Sequence, residues 1–320
     1  MKIKKSTLLL PFLIPLFFAW SYLLLQSYTG GDQIHYHNFF GALRGSPIND
    51  IMPLADMYLS SKEPLSAYIL WIGANLNIDK NVFISILNVM LLTGLFLILR
   101  KYRAPWYLIL LIFSNFYLIV LMTGAERLKI SYIILIYAFL LRGIRRNILI
   151  FISPLAHFQS FLLIFSLYLA SISVKFKRFL KNFSFSMINL KMYTISFLLF
   201  LIVLFLLREN ILRKAAIYMN NQTYLLQSSN IVLLLIISLV VLKDKFKVLF
   251  SLLPLIVAVI LLGGQRVNMI AVTLVFILCV SEKKTNHPLI ICLFTYFSLK
   301  SIPFIYNIYY NGNGFDGWLF

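Results

Sequence analysis

Acidic side chains are scarce in this chain: 10 Asp and Glu stand against 29 Lys and Arg in 320 residues, and charged residues make up only 12%. Soluble domains carry roughly 25% charged and about 45–50% apolar residues, so a hydrophobic content of 61% excludes a soluble globular fold. Nucleic-acid binding is excluded too. A basic footprint needs Lys and Arg clustered on a water-soluble face, whereas these charges punctuate apolar runs. Cysteine is equally sparse: Cys279 and Cys292 both fall in apolar segments, so no disulfide framework is implied. No internal repeat is visible, which counts against a secondary transporter built from duplicated halves. The first apolar run, 7–26, lacks a small-x-small cleavage site and exceeds the ~7–15 residues of a signal-peptide core. It reads as a retained span with a cytoplasmic N-terminus.

Apolar length is what the chain has. Further runs follow at 64–78, 82–99, 105–122, 126–141, 148–173, 190–207, 229–242, 248–262, 267–280 and 288–306. With ~20 residues needed per crossing helix, they leave no room for a separate extramembrane domain within 1–320. Basic clusters at 100–103, 142–146, 175–178, 243–247 and 283–284 separate them, and such clusters stay cytoplasmic. All of them can do so only if 64–78 does not cross and 148–173 turns back near Pro154, where a missing N–H breaks the helix. The split is then 19 basic residues inside and 10 outside; a crossing 64–78 would reverse it to 11 and 18. The expected fold is all-α: a polytopic integral membrane protein, one transmembrane domain of about eleven segments, with one short re-entrant or interfacial helix and one broken hairpin. Its longer outer loops are 27–63 and 208–228. Net charge sorts as +17 inside and +2 outside, so the excess is a topology signal rather than a ligand signal.

The outer side therefore holds the candidates for chemistry. On a helix Asp32, His35 and Tyr36 share a face; the alternative is a solvated loop helix whose Gly30-Gly31 turns the chain. A metal site from Asp32, His35 and His37 lacks a further ligand at useful spacing. Arg127 opens an apolar helix. At membrane depth an arginine costs ~2.5–3.5 kcal/mol and faces a cavity or a partner, unless it snorkels or pairs with a nearby carboxylate. His157, beside Pro154, Gln159 and Ser160, reads as a packing histidine or as the lining of a wet cavity. Arg266, after Gly263-Gly264-Gln265, repeats the Arg127 pattern, and two such guanidinium forks suit a phosphate. Glu63 before Pro64 is an N-cap substitute or a catalytic carboxylate. The stretch 311–318 reads as a flexible tail.

In order and spacing these features resemble the EpsG family of bacterial exopolysaccharide proteins, relatives of the Wzy-type O-antigen and capsule polymerases. The match comprises Gly30-Gly31-Asp32 with Tyr36, then Glu63-Pro64, then Arg127 at a helix start. Basic 142–146, Ala156-His157 with Ser160, and the later Gly264-x-Arg266 complete it over most of the chain. One departure is Leu128, where the family commonly has glutamine. The resemblance implies a GT-C-like glycosyltransferase of the bacterial inner membrane, working without metal or cofactor. It would transfer a glycan from polyprenyl pyrophosphate onto the next lipid-linked repeat unit, with a chain-length regulator as a candidate partner. Arg127 and Arg266 would hold the pyrophosphate. His157 would be the base, with Asp32 and Glu63 as the other catalytic candidates; His35, Tyr36, Gln159 and Gln265 would contact substrate. An acyltransferase modifying surface glycans and a lipid-linked glycan flippase are the rival readings.

Overall fold

The computed structural model describes residues 9–182, 224–262 and 264–316, and every regular element among them is helical. In chain order these are α1 (Leu10–Ser27), α2 (Asp32–Leu43), α3 (Ile51–Leu59), α4 (Pro64–Asn75), α5 (Lys80–Lys101), α6 (Trp106–Phe113) and α7 (Phe116–Thr123). Then come α8 (Glu126–Leu140), α9 (Ile144–Ala156), α10 (Ser160–Asn182), α11 (Tyr224–Val241), α12 (Lys245–Leu262), α13 (Gly264–Ser281) and α14 (Pro288–Asn311). The chain divides into two compact units, Met1–Phe161 with Ile290–Leu319, and Leu162–Leu289.

Helices α1, α5 and α14 are long and apolar enough to cross a membrane, with mean hydropathies of 1.5, 2.6 and 1.7; α6 and α7 add a fourth if their pair, bent by 47°, is one span. The run at 105–122 is thus broken rather than continuous. Asn115 leaves the helix to cap α7, its Oδ1 accepting from Tyr117 N at 2.9 Å. The run at 64–78 forms α4, whose 12 residues reach about 18 Å, well short of ~30 Å of hydrocarbon. Shorter apolar helical stretches follow: Ser160–Val174, which enters the second unit at Leu162, and Ser228–Val241 and Arg266–Ser281 within that unit. The run at 190–207 and the greater part of the loop at 208–228 lie outside the described residues. The loop at 27–63 is not irregular: it folds into α2, the 3₁₀ turn Ile48–Asp50 and α3.

In the first unit the directions of the helices sort the charges. Ser21 of α1 donates to Ser85 of α5 at 3.2 Å, and Asn88 donates to Ser21 at 2.7 Å. At the far end of α5, Lys101 Nζ reaches Phe139 O of α8 at 3.2 Å. At the near end, Lys80 Nζ lies 3.0 Å from Glu126. So α5 and α8 run in the same direction, and α9 returns beside α8 after a turn at Gly143, whose φ of 66° suits glycine. The basic stretches at 100–103 and 142–146 fall at one end of this unit. The start of α8 and the end of α9 fall at the other.

The segment after α14 is docked rather than loose. Thr29 N and Gly30 N both donate to Gly312 O, at 3.0 and 2.7 Å. Phe315 sets its ring 5.0 Å from that of Phe304. Close approach demands glycine here, since a Cβ on Gly314 would stand 2.2 Å from the Phe304 ring.

Candidate functional site

The α8–α9 hairpin explains why residues 30 apart meet. Arg127 sits in the first turn of α8 and His157 follows the last residue of α9, so an antiparallel return puts both at the same level. Pro154 belongs to the last turn of α9, and the chain leaves the helix at His157, whose backbone is extended (φ −160°, ψ 118°). The break thus falls three residues beyond the proline, at 157–159.

Glu63 closes the arrangement from the α3–α4 connection. Pro64 holds the first helical position of α4, where its missing N–H costs nothing. The carboxylate of Glu63 points into the unit and is itself buried. Its Oε2 lies 2.6 Å from Arg127 Nη1 and its Oε1 lies 2.7 Å from His157 Nδ1. Phe158 N donates to Oε1 at 3.1 Å and Ser61 Oγ to Oε2 at 3.1 Å. Burial alone would raise the pKa of this group. The neighbouring His157 and Arg127, with the hydrogen bonds they make, overcome that and hold it well below the usual carboxylate range.

The remaining contacts orient the two bases. Arg127 Nε donates to Tyr36 OH at 3.3 Å, which fixes the guanidinium plane and leaves Nη2 for another acceptor. His157 Nε2 lies 3.1 Å from Gln159 Oε1. The amide serves both forms of the ring. With its oxygen toward Nε2 it accepts from an imidazolium, and turned through 180° its NH₂ donates to the neutral tautomer. At 2% exposure His157 is held by these contacts rather than by water.

Of the residues singled out from sequence, Glu63, Arg127, His157, Tyr36 and Gln159 come together. For Arg127, pairing with a carboxylate is what the structure has. Asp32 and His35 do not join them: both are exposed on α2, whose buried stripe is Gln33, Tyr36, Phe39, Phe40 and Leu43. The helix starts right after Gly31, and that register turns Gln33 inward instead of Asp32. Arg266 and Gln265 lie in the first turn of α13, in the second unit.

One cluster the sequence reading passed over lies beside the first. Gln33 donates to Glu126 Oε1 at 3.1 Å and to Thr123 O. Lys80 donates to Gln33 Oε1 and pairs with Glu126. Lys129, with no exposed surface, donates to Met122 O at 2.7 Å. Three charged residues at the ends of apolar helices were the available signal, since such groups are retained only with partners. In sequence Glu126 and Lys129 stand only as neighbours of Arg127 at a helix start, and Lys80 as a charge between two apolar runs.

The fold and the cluster together define an all-helical protein with membrane-length apolar helices and a buried carboxylate–arginine–histidine group at one end of its first unit. No family model, curated protein or solved structure matches the chain.

Proposed function

We propose that this protein is a membrane-embedded glycosyltransferase that polymerises lipid-linked oligosaccharide repeat units, with Glu63, Arg127 and His157 as its reaction centre. The observation that supports this reading is the bridged carboxylate: Glu63 holds Arg127 through one oxygen and His157 Nδ1 through the other. A histidine fixed at Nδ1 presents Nε2 for proton transfer. In the reaction an acceptor sugar hydroxyl displaces the Gln159 amide from Nε2, which takes its proton as that oxygen bonds to the anomeric carbon of the donor glycan. The bond from that carbon to the pyrophosphate oxygen breaks, and the polyprenyl pyrophosphate leaves carrying the negative charge. Arg127, still holding N–H donors beyond those given to Glu63 and Tyr36, meets that charge as it develops.

The topology that goes with this reading has about eleven membrane segments, the basic ends cytoplasmic and the cluster outward, where flipped lipid-linked units are presented. The sorting of 100–103 and 142–146 away from Glu63 and Arg127 supports that orientation, and the described residues supply three or four helices of crossing length. Purified protein given a short synthetic lipid-linked repeat should yield a ladder of products, and His157→Ala and Arg127→Ala should each abolish it. A single added unit, an acylated product or undiminished ladders from both variants would overturn the proposal.

A further inference from the structure

The second unit contains a cavity of about 450 Å³ between α10, α12 and α13, walled by Leu167, Val174, Ile277 and Leu278, with Lys247 and Ser281 supplying polar atoms. Lys247 Nζ donates to Ser281 Oγ at 3.2 Å. The acids at this end are already engaged. Asp244 lies 3.7 Å from Lys177 Nζ, and Glu282 accepts from Lys243 N at 2.7 Å. Lys245 Nζ is spent on the end of α11, where it donates to Leu242 O at 2.8 Å. The two connections at 243–247 and 283–284 carry five lysines against Asp244 and Glu282, which leaves this end strongly positive.

We propose that this cavity binds an anionic glycerophospholipid, its phosphodiester at Lys247, which Ser281 positions, and the upper part of its acyl chains along the apolar wall. Charge complementarity selects the headgroup, because a lysine is a compact point charge suited to phosphate, and Ser281, whose own proton goes to Leu278 O at 2.8 Å, accepts from Lys247 and holds its ammonium at the cavity. The apolar wall selects a lipid over free phosphate, which would leave those side chains uncovered. The volume lies within the roughly 300–1,000 Å³ of small-molecule sites, enough for a headgroup and its first methylenes. Basic pockets between helices on the cytoplasmic side bind anionic headgroups, and the lysine-rich connections fall on that side by the charge rule. The inference needs the membrane but not the glycosyl-transfer reading.

Native mass spectrometry of the full-length protein, offered phosphatidylglycerol and phosphatidylcholine with identical acyl chains, tests it. The wild type should retain phosphatidylglycerol preferentially. Lys247→Gln should lower that preference about fivefold, the factor matching ~1 kcal/mol for one cation at an anionic surface, and Lys247→Arg should keep it. Ser281→Ala should weaken it in a background that leaves Lys247 intact, and Lys62→Gln, in the other unit, should leave it unchanged. Equal retention of both lipids overturns the proposal. So does an unaltered preference in Lys247→Gln, an equal loss in Lys62→Gln, or full displacement by millimolar inorganic phosphate.

Discussion

Replacing Glu63 by glutamine keeps the volume of the side chain and removes its charge. The carboxylate accepts from Arg127, His157, Phe158 N and Ser61. An amide has one accepting oxygen, so its NH₂ must face a donor on one side or the other. Arg127, 11% exposed at its side chain, is left as a buried cation without its counter-charge. Removing one partner of a buried pair costs ~3–5 kcal/mol. At ~2–4 °C per kcal/mol for larger domains, detergent-solubilised Glu63→Gln should melt some 6–20 °C below the wild type. Glu63→Leu combined with Arg127→Met should recover much of that loss while staying inactive, because a well-packed apolar pair is often neutral to stability. The pH dependence has a definite sign. A carboxylate held below its ordinary 4.5 contributes stability that is complete above that value and lost only as pH falls through the lower folded one. The gap between wild type and Glu63→Gln should therefore not close between pH 8 and pH 5 and should narrow only in stronger acid. A variant that melts with the wild type, or a gap that closes between pH 8 and pH 6, would refute the buried-pair account.

Other perturbations read other contacts. Glu126→Ala leaves Lys80 uncompensated and should cost ~3–5 kcal/mol, seen as a lowered melting temperature, whereas Lys80→Met with Glu126→Leu should be close to neutral. Gly94→Ala places a Cβ 2.5 Å from Ile136 Cγ2 and should destabilise the α5–α8 contact by ~1–3 kcal/mol; a second change, Ile136→Ala, should relieve the clash. Tyr36→Phe removes the acceptor of Arg127 Nε and should lower glycan transfer roughly tenfold, with less thermal loss than Glu63→Gln. A Tyr36→Phe variant as inert in that assay as Arg127→Ala would place Tyr36 in the proposed chemistry rather than in orientation.

Much of this architecture can be read from sequence because apolar runs bounded by charge announce helices locally. The helix starting at Glu126, the short helix behind Pro64 and the interruption near His157 all follow from nearest-neighbour chemistry. What escapes is whatever depends on register or partners. Asp32 and Gln33 are adjacent, and a single residue of phase on α2 decides which is buried. Lys80 and Glu126 are 46 positions apart, and nothing local marks them as a pair rather than as two separate charges at helix starts. Ser114-Asn115 looks like polar noise in a span, yet Asn115 caps a new helix. The glycines after Asn311 signal looseness by composition, while tight contacts with Thr29 and Phe304 are what require them. Glu63, Arg127 and His157 could each be named as candidates, but that one carboxylate bridges the other two is a tertiary fact.

The clasp of Gly312 over Thr29 and Gly30 has a consequence for biogenesis. The unit that holds Glu63, Arg127 and His157 is discontinuous, and its closing strap arrives only after Leu162–Leu289 has been synthesised. The turn that launches α2, and with it the Tyr36 brace on Arg127, waits unsecured through that interval. The turn ahead of α2 therefore gains its Gly312 contacts only after α14 has been made, and a nascent chain stalled in the second unit would carry Glu63, Arg127 and His157 with that turn still unclasped.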